Sequence, residues 1–168
     1  MKNSELIPFV GFAFLMVAVP VGAAVHVGDI FPPLAPARLV GASLPQTSGK
    51  VVLVDFWASW CAPCKASFPT YARLNSEFAS KGLVIVAVSV DQDATSYAAF
   101  VRKFSPPFFV ELDNEQKLVR EVQVPTMPTS YLLDQEGRVR YVHPGFHGSE
   151  TEQALRVEIE ALLSNKLP

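Results

Sequence analysis

The sequence predicts an α/β fold in which a mixed central sheet carries helices on both faces. Three observations lead there. Val51–Trp57 and residues 83–90 are continuous apolar runs bounded by turn residues, as strands buried on both faces of a parallel sheet read. Segments with apolar residues at helical spacing alternate with them. Late in the chain, Thr129–Leu133 and residues 138–142 flank Asp134-Gln-Glu-Gly137, an antiparallel hairpin with Gly137 at the tight bend. Alternating strands and helices followed by a hairpin give a layered mixed sheet.

The elements follow in order. Residues 25–36 are Pro-rich and extended, and Leu39, Gly41-Ala42 and Leu44 suggest a small N-terminal hairpin closing at Gly49. The strand Val51–Trp57 holds one polar residue, Asp55. A helix over 62–81 places Phe68, Tyr71, Leu74 and Phe78 on one face and stops at Gly82; Pro69 should kink it. Residues 83–90 form a strand and Ala94–Phe104 a helix, which Ser105-Pro-Pro107 ends. A further strand over 108–112 and a short helix over 114–122 read as a strand–helix insertion ahead of the late hairpin. Ser149 and Glu152 predict a capping box for a final helix whose Leu155, Ile159, Leu162 and Leu163 face the core.

At 168 residues the chain suits a single domain. Its formal charge is −2 with no Lys/Arg block, which argues against nucleic acid or an anionic membrane surface as a partner. The N-terminus reads as export machinery, dividing the chain into a leader over 1–24 and a folded part over 25–168. Lys2 precedes an apolar stretch over 6–19, Pro20 breaks it, and the small residues Val21-Gly-Ala-Ala24 follow. These are the regions of a signal peptide, with cleavage after Ala23 or Ala24. An uncleaved signal anchor is the alternative, since the stretch approaches the ~20 residues of a membrane span. No cysteine follows it, so a lipid-modified N-terminal cysteine is excluded. Both readings place the chain in an oxidising compartment, the periplasm.

The two cysteines, Cys61 and Cys64, stand three positions apart, too close together to be a structural disulfide framework. They fall where a buried strand hands over to a helix. There the helix dipole and free N–H groups lower a thiol pKa, which makes Cys61 the exposed nucleophile and Cys64, deeper in the helix, the resolving thiol. Pro63 suits the first helical turn, where its missing N–H costs nothing. A zinc site would need more soft ligands than His26, His143 and His147, and Lys65 stands where a c-type haem needs His. No metal or cofactor is expected, because the electrons reside in the cysteines.

The segment Val54-Asp-Phe-Trp-Ala-Ser-Trp-Cys-Ala-Pro-Cys-Lys65 resembles the active-site segment of thioredoxins. With Gly28-Asp-Ile-Phe-Pro32, the strand–helix between Asp91 and Val124, and Met127-Pro-Thr-Ser-Tyr-Leu-Leu-Asp134, nearly all of the chain after the leader resembles the TlpA/ResA-type branch of thioredoxin-like thiol–disulfide oxidoreductases. The resemblance implies a thioredoxin-like fold in which Pro128 is a cis-proline facing the disulfide, shaping with Met127 the groove where a client backbone docks; Pro125 is the second candidate. It implies that Asp55 is the buried acid that trades a proton with Cys64. Trp60 reads as contact surface, while Trp57 could serve there or in the core. Two positions depart from the pattern. Ala87 stands where thioredoxins commonly place a Lys near the acid, and Ser67 stands where many TlpA/ResA-type proteins carry Glu, which weakens a dedicated cytochrome-maturation role.

The implied activity is reduction of client protein disulfides by a monomer, recharged by a membrane electron-relay protein. A disulfide-forming oxidase of the same fold and a redox-inactive binding or chaperone module are the rivals. A peroxidase would need a lone peroxidatic cysteine, and none is present.

Overall fold

The computed structural model describes residues 24–41 and 44–164; the expected leader, Ala24 apart, lies outside them. At its centre is β2 (Val51–Trp57), every residue of which is buried. It pairs in parallel with β3 (Leu83–Ser89) and antiparallel with β5 (Thr129–Leu133). A strand hydrogen-bonded on both edges and covered on both faces has no route to water, which is why its sequence, Asp55 apart, is apolar without alternation. β3 pairs in parallel with β4 (Phe109–Leu112), and β5 antiparallel with β6 (Val139–Pro144). With β1 (Val40–Gly41) at the edge, the order is β1-β4-β3-β2-β5-β6.

The helices are α1 (Ala62–Phe78), α2 (Ala94–Phe104), α3 (Lys117–Val122) and α4 (Ser149–Leu163). Alternation along β2 sends Asp55 and Trp57 to one face and Phe56 to the other. Trp57 packs on Phe68 of α1 and Phe100 of α2, with ring centroids 4.9 and 4.4 Å apart. α4 joins α1 on this face through Arg73–Glu152 and Arg156–Glu77. On the opposite face Phe31, Phe56 and Tyr131 form a second aromatic cluster. The N-terminal segment that carries Phe31 is tied to the end of α3 by Val25 N–H to Val122 O, 3.1 Å. Trp57 is therefore core, fully buried.

The expected helix over 62–81 is α1 followed by a 3₁₀ turn at Ala79–Lys81, and Gly82 ends it with φ 112°, a conformation glycine adopts without steric cost. α1 continues through Pro69 as one helix. Three expectations need correction. The N-terminal hairpin around Gly41 is not formed among the described residues; Val40 and Gly41 instead pair with Leu112 and Glu111 of β4, so an open sheet edge supplies the partner. The short helix begins at Lys117 rather than Asn114, because the Asp113 carboxylate takes the N–H groups of Lys117 and Val119. The capping box at α4 is also absent. Gly148 is the N-cap, and Glu152 reaches across to Arg73 and Thr70 of α1, where a charge-assisted contact outcompetes a local backbone bond.

Phe68 touches Trp57, Tyr71, Phe100 and Phe108. Phe68→Ala is expected to cost about 3–5 kcal/mol, read as a lowered denaturant midpoint with the slope of the unfolding transition unchanged.

Candidate functional site

The site is built where β2 ends. Ala58, Ser59 and Trp60 form a turn closed by Cys61 N–H to Ala58 O at 3.1 Å, and α1 starts immediately after. Cys61 is its N-cap, in an extended conformation. The N–H of Cys64 points at Cys61 Sγ, 3.2 Å away, so sulfur occupies the place a capping oxygen takes at other helices. An N–H aimed at sulfur, added to the helix dipole, favours the thiolate of Cys61 once the bond is opened. Pro63 falls in the first turn, whose N–H groups have no helical partner. Cys61 and Cys64 are joined by a disulfide with Cα atoms 5.3 Å apart.

Exposure differs between the two sulfur residues less than the sequence suggests. Cys61 retains 5% of its surface and Cys64 none. Cys61 is largely covered in the disulfide state, and what access the pair has belongs to it. Next to it Trp60 stands 70% exposed. Trp60 and Met127 line one open cleft of about 510 Å³, with Ser59, Val90, Asp91 and Gln116. The Met127–Pro128 peptide is cis, and Pro128 is buried while Met127 is partly exposed. Thr129 Oγ1 holds the turn before them through Thr126 O at 2.8 Å.

Asp55, two residues before the end of β2, is fully buried. Its cross-strand neighbours are Ala87 on β3 and Ser130 on β5, so no lysine stands where thioredoxins commonly have one. Two hydroxyls meet it instead: Tyr71 and Ser130 each donate to Asp55 Oδ1 at 2.8 Å. Burial raises its pKa to about 7, with Ser130 and then Tyr71 pulling the other way. Burial first, then the charge of Asp55, push the Tyr71 phenol well above its ordinary range, so it remains a donor. Ser67, in the position of the family's Glu, is buried and donates to Cys64 O at 2.8 Å.

Three contributors escaped the sequence reading as site residues: Tyr71, Ser130 and Asp91. Asp91, just past β3, accepts from Ser59 N–H at 3.0 Å, Ser59 Oγ at 2.9 Å and Ser89 Oγ at 2.8 Å. It clamps the turn that carries Trp60 and Cys61 to the end of the neighbouring strand, and Val90 N–H to Trp57 O at 2.9 Å reinforces the join. An acid directly after a buried apolar strand was the available signal. Of the three histidines, His143 pairs with Glu158 at 2.7 Å.

A disulfide across the first turn of the helix leaving the central strand of a mixed sheet defines a thioredoxin-like redox protein. The chain belongs to the Redoxin family, whose model matches residues 27–157. ResA of Bacillus subtilis, named a thiol-disulfide oxidoreductase, is 35% identical over 102 residues, 61% of this chain and 57% of that one. The chain thus spans somewhat over half the length of the Bacillus ResA relatives it matches. The thioredoxin-like protein YneN of the same species is 33% identical over 121 residues, 70% of each chain. A crystal structure from Chlorobium tepidum, provisionally named a thiol:disulfide interchange protein DsbE, superposes with a TM-score of 0.77 at 35% identity. The match covers 83% of this chain and 99% of that one.

Two outcomes are expected. Asp55 has a higher pKa folded than its ordinary 3.8, so the folded state holds its proton more tightly than the unfolded one. Stability therefore falls as pH rises from about 4 to 7, by on the order of 4 kcal/mol. Denaturation of Asp55→Asn across that range should lack this decline. Asp91→Ala strands the Ser59 and Ser89 donors and should destabilise by about 2–4 kcal/mol, measured by thermal unfolding.

Proposed function

We propose that the chain is an exported thiol–disulfide oxidoreductase that reduces disulfides of client proteins. The observation carrying the reading is the Cys61–Cys64 disulfide at the N-terminus of α1, with the Cys64 N–H turned to the Cys61 sulfur. In the dithiol form the Cys61 thiolate attacks a client disulfide, forming a mixed disulfide and releasing one client sulfur as thiolate. Asp55 takes the proton of Cys64, whose thiolate then attacks Cys61 Sγ. The Cys61–Cys64 bond forms, the second client sulfur leaves with the electron pair, and the Asp55 proton neutralises it. The client is reduced by two electrons and the pair is oxidised by two.

The cleft lined by Trp60 and Met127 is the surface on which an extended client segment docks beside Cys61, with Pro63 in the first turn of α1 and the cis Pro128 next to Met127 as its further contacts. Export is supported by the sequence of residues 1–24, which serve as signal peptide or membrane anchor. In the periplasm the oxidised pair is returned to the dithiol by a membrane electron-relay protein. Among the described residues no helix is long and apolar enough to cross a membrane.

Reduction of insulin by dithiothreitol should be accelerated by the wild type and not by Cys61→Ser; unchanged acceleration in that variant would sink the nucleophile assignment. Cys64→Ala should strand client proteins on Cys61 as mixed disulfides in cells, and a lack of any covalent partner would favour a binding module. A reduction potential at or below about −220 mV supports the reductase direction, whereas one near −120 mV makes the protein an oxidase.

A further inference from the structure

The buried carboxyl of Asp55 is held asymmetrically. Oδ1 receives the hydroxyls of Tyr71 and Ser130 at 2.8 Å each. Oδ2, equally buried, has no hydrogen-bond partner among the described residues. The two hydroxyl oxygens also lie 2.9 Å from each other, in a contact either can donate. Three oxygens thus form a triangle with three edges, and the hydroxyls own two protons between them. With Asp55 ionised, both protons point at Oδ1, the arrangement that best stabilises a buried anion. With Asp55 protonated, one hydroxyl is free to turn toward the other.

We propose that Tyr71 and Ser130 are positioning residues for the exchange step: they occupy Oδ1 and leave Oδ2 as the oxygen that accepts and returns the Cys64 proton. This rests on the reading of Asp55 as the base for Cys64. The three groups are brought together only by folding, since Tyr71 lies 16 and Ser130 lies 75 residues from Asp55. Cys64, Ser67 and Tyr71 share the buried face of α1, which packs on the Asp55 side of β2. In the step itself the Cys64 S–H proton passes to Oδ2 and the S–S bond to Cys61 forms. The bond between Cys61 and the client breaks with its electrons leaving on the client sulfur, which then takes the proton from Oδ2.

The groups around Asp55 leave this pair in control. From α1 comes Tyr71, with Cys64 two turns before it among the buried residues of the helix; β3 offers Ala87; from β5 comes Ser130. Opposite Ser130 on β6 stands His143, engaged with Glu158 of α4. The remaining charges linking α1 and α4, Arg73, Glu77, Glu152 and Arg156, pair among themselves. Both hydroxyl bonds favour the ionised acid, so losing either raises the pH at which Asp55 can act as base.

The test uses the reduced protein and an aromatic disulfide whose released thiolate is coloured. The first colour phase reports attack by Cys61; the second reports resolution by Cys64. In the wild type the second-phase rate should rise through an inflection near pH 7. Tyr71→Phe and Ser130→Ala should each move that inflection upward by about one pH unit and slow the second phase at pH 7 roughly fivefold, leaving the first phase unchanged. Ser130→Thr, which keeps the hydroxyl, should restore it. If Asp55→Asn abolishes the inflection but both hydroxyl variants leave it in place or lower it, the positioning role is overturned and the base assignment stands. An inflection that persists in Asp55→Asn overturns both. Should one hydroxyl variant fail to fold, as judged by its near-ultraviolet dichroism, the other decides.

Discussion

The architecture depends on β2 being closed to water on every side. Its edges are taken by β3 and β5, and its faces by α1, α2 and the Phe31–Phe56–Tyr131 cluster. A strand so enclosed is rigid, and whatever is attached to its end inherits that rigidity. Attached there are a three-residue turn and a helix N-terminus, which is where a sulfur gains most from free N–H groups and an aligned dipole. The chemistry of Cys61 is thus a consequence of where a buried strand stops.

A turn alone would leave the cysteine loosely placed. Asp91 removes that freedom by gathering three donors from Ser59 and Ser89 onto one buried carboxylate, so the end of β3 holds the turn that follows β2. Parallel strands finishing side by side make this cross-link geometrically natural, and reactive groups in open α/β sheets gather at the same end. The cleft holding Trp60 and Met127 opens over the same junction, so cleft, disulfide and anchoring carboxylate share one corner of the sheet.

Against this apolar frame Asp55 is a deliberate cost. A carboxyl in the middle of the central strand, with one oxygen doubly hydrogen-bonded and the other without a partner among the described residues, is poorly solvated as an anion. Structures keep such half-satisfied groups at functional sites. Here the neighbouring hydroxyls temper the cost without abolishing it, keeping the acid near neutrality, where it can both take and give a proton.

By itself the sequence determined what is local. The Cys61–Cys64 spacing, their place at a strand–helix junction and the identity of the buried strands follow from periodicity and turn chemistry, which act over a few residues. Ala94–Phe104 and Thr129–Leu133 match the elements formed, residue for residue. The resemblance to TlpA/ResA-type proteins was legible from the same contiguous motifs. Tertiary structure alone decided which distant groups meet. Sheet register set Ser130 beside Asp55 and confirmed Ala87 as its neighbour on β3, and helix packing brought the Tyr71 hydroxyl to the same oxygen. Packing likewise sent Trp57 into the core and left Trp60 in water, drew Glu152 away from Ser149 to Arg73, and gave Val40–Gly41 a distant partner in β4. Hydrogen bonds and ion pairs between segments depend on register and packing angle, and no spacing within one segment encodes them.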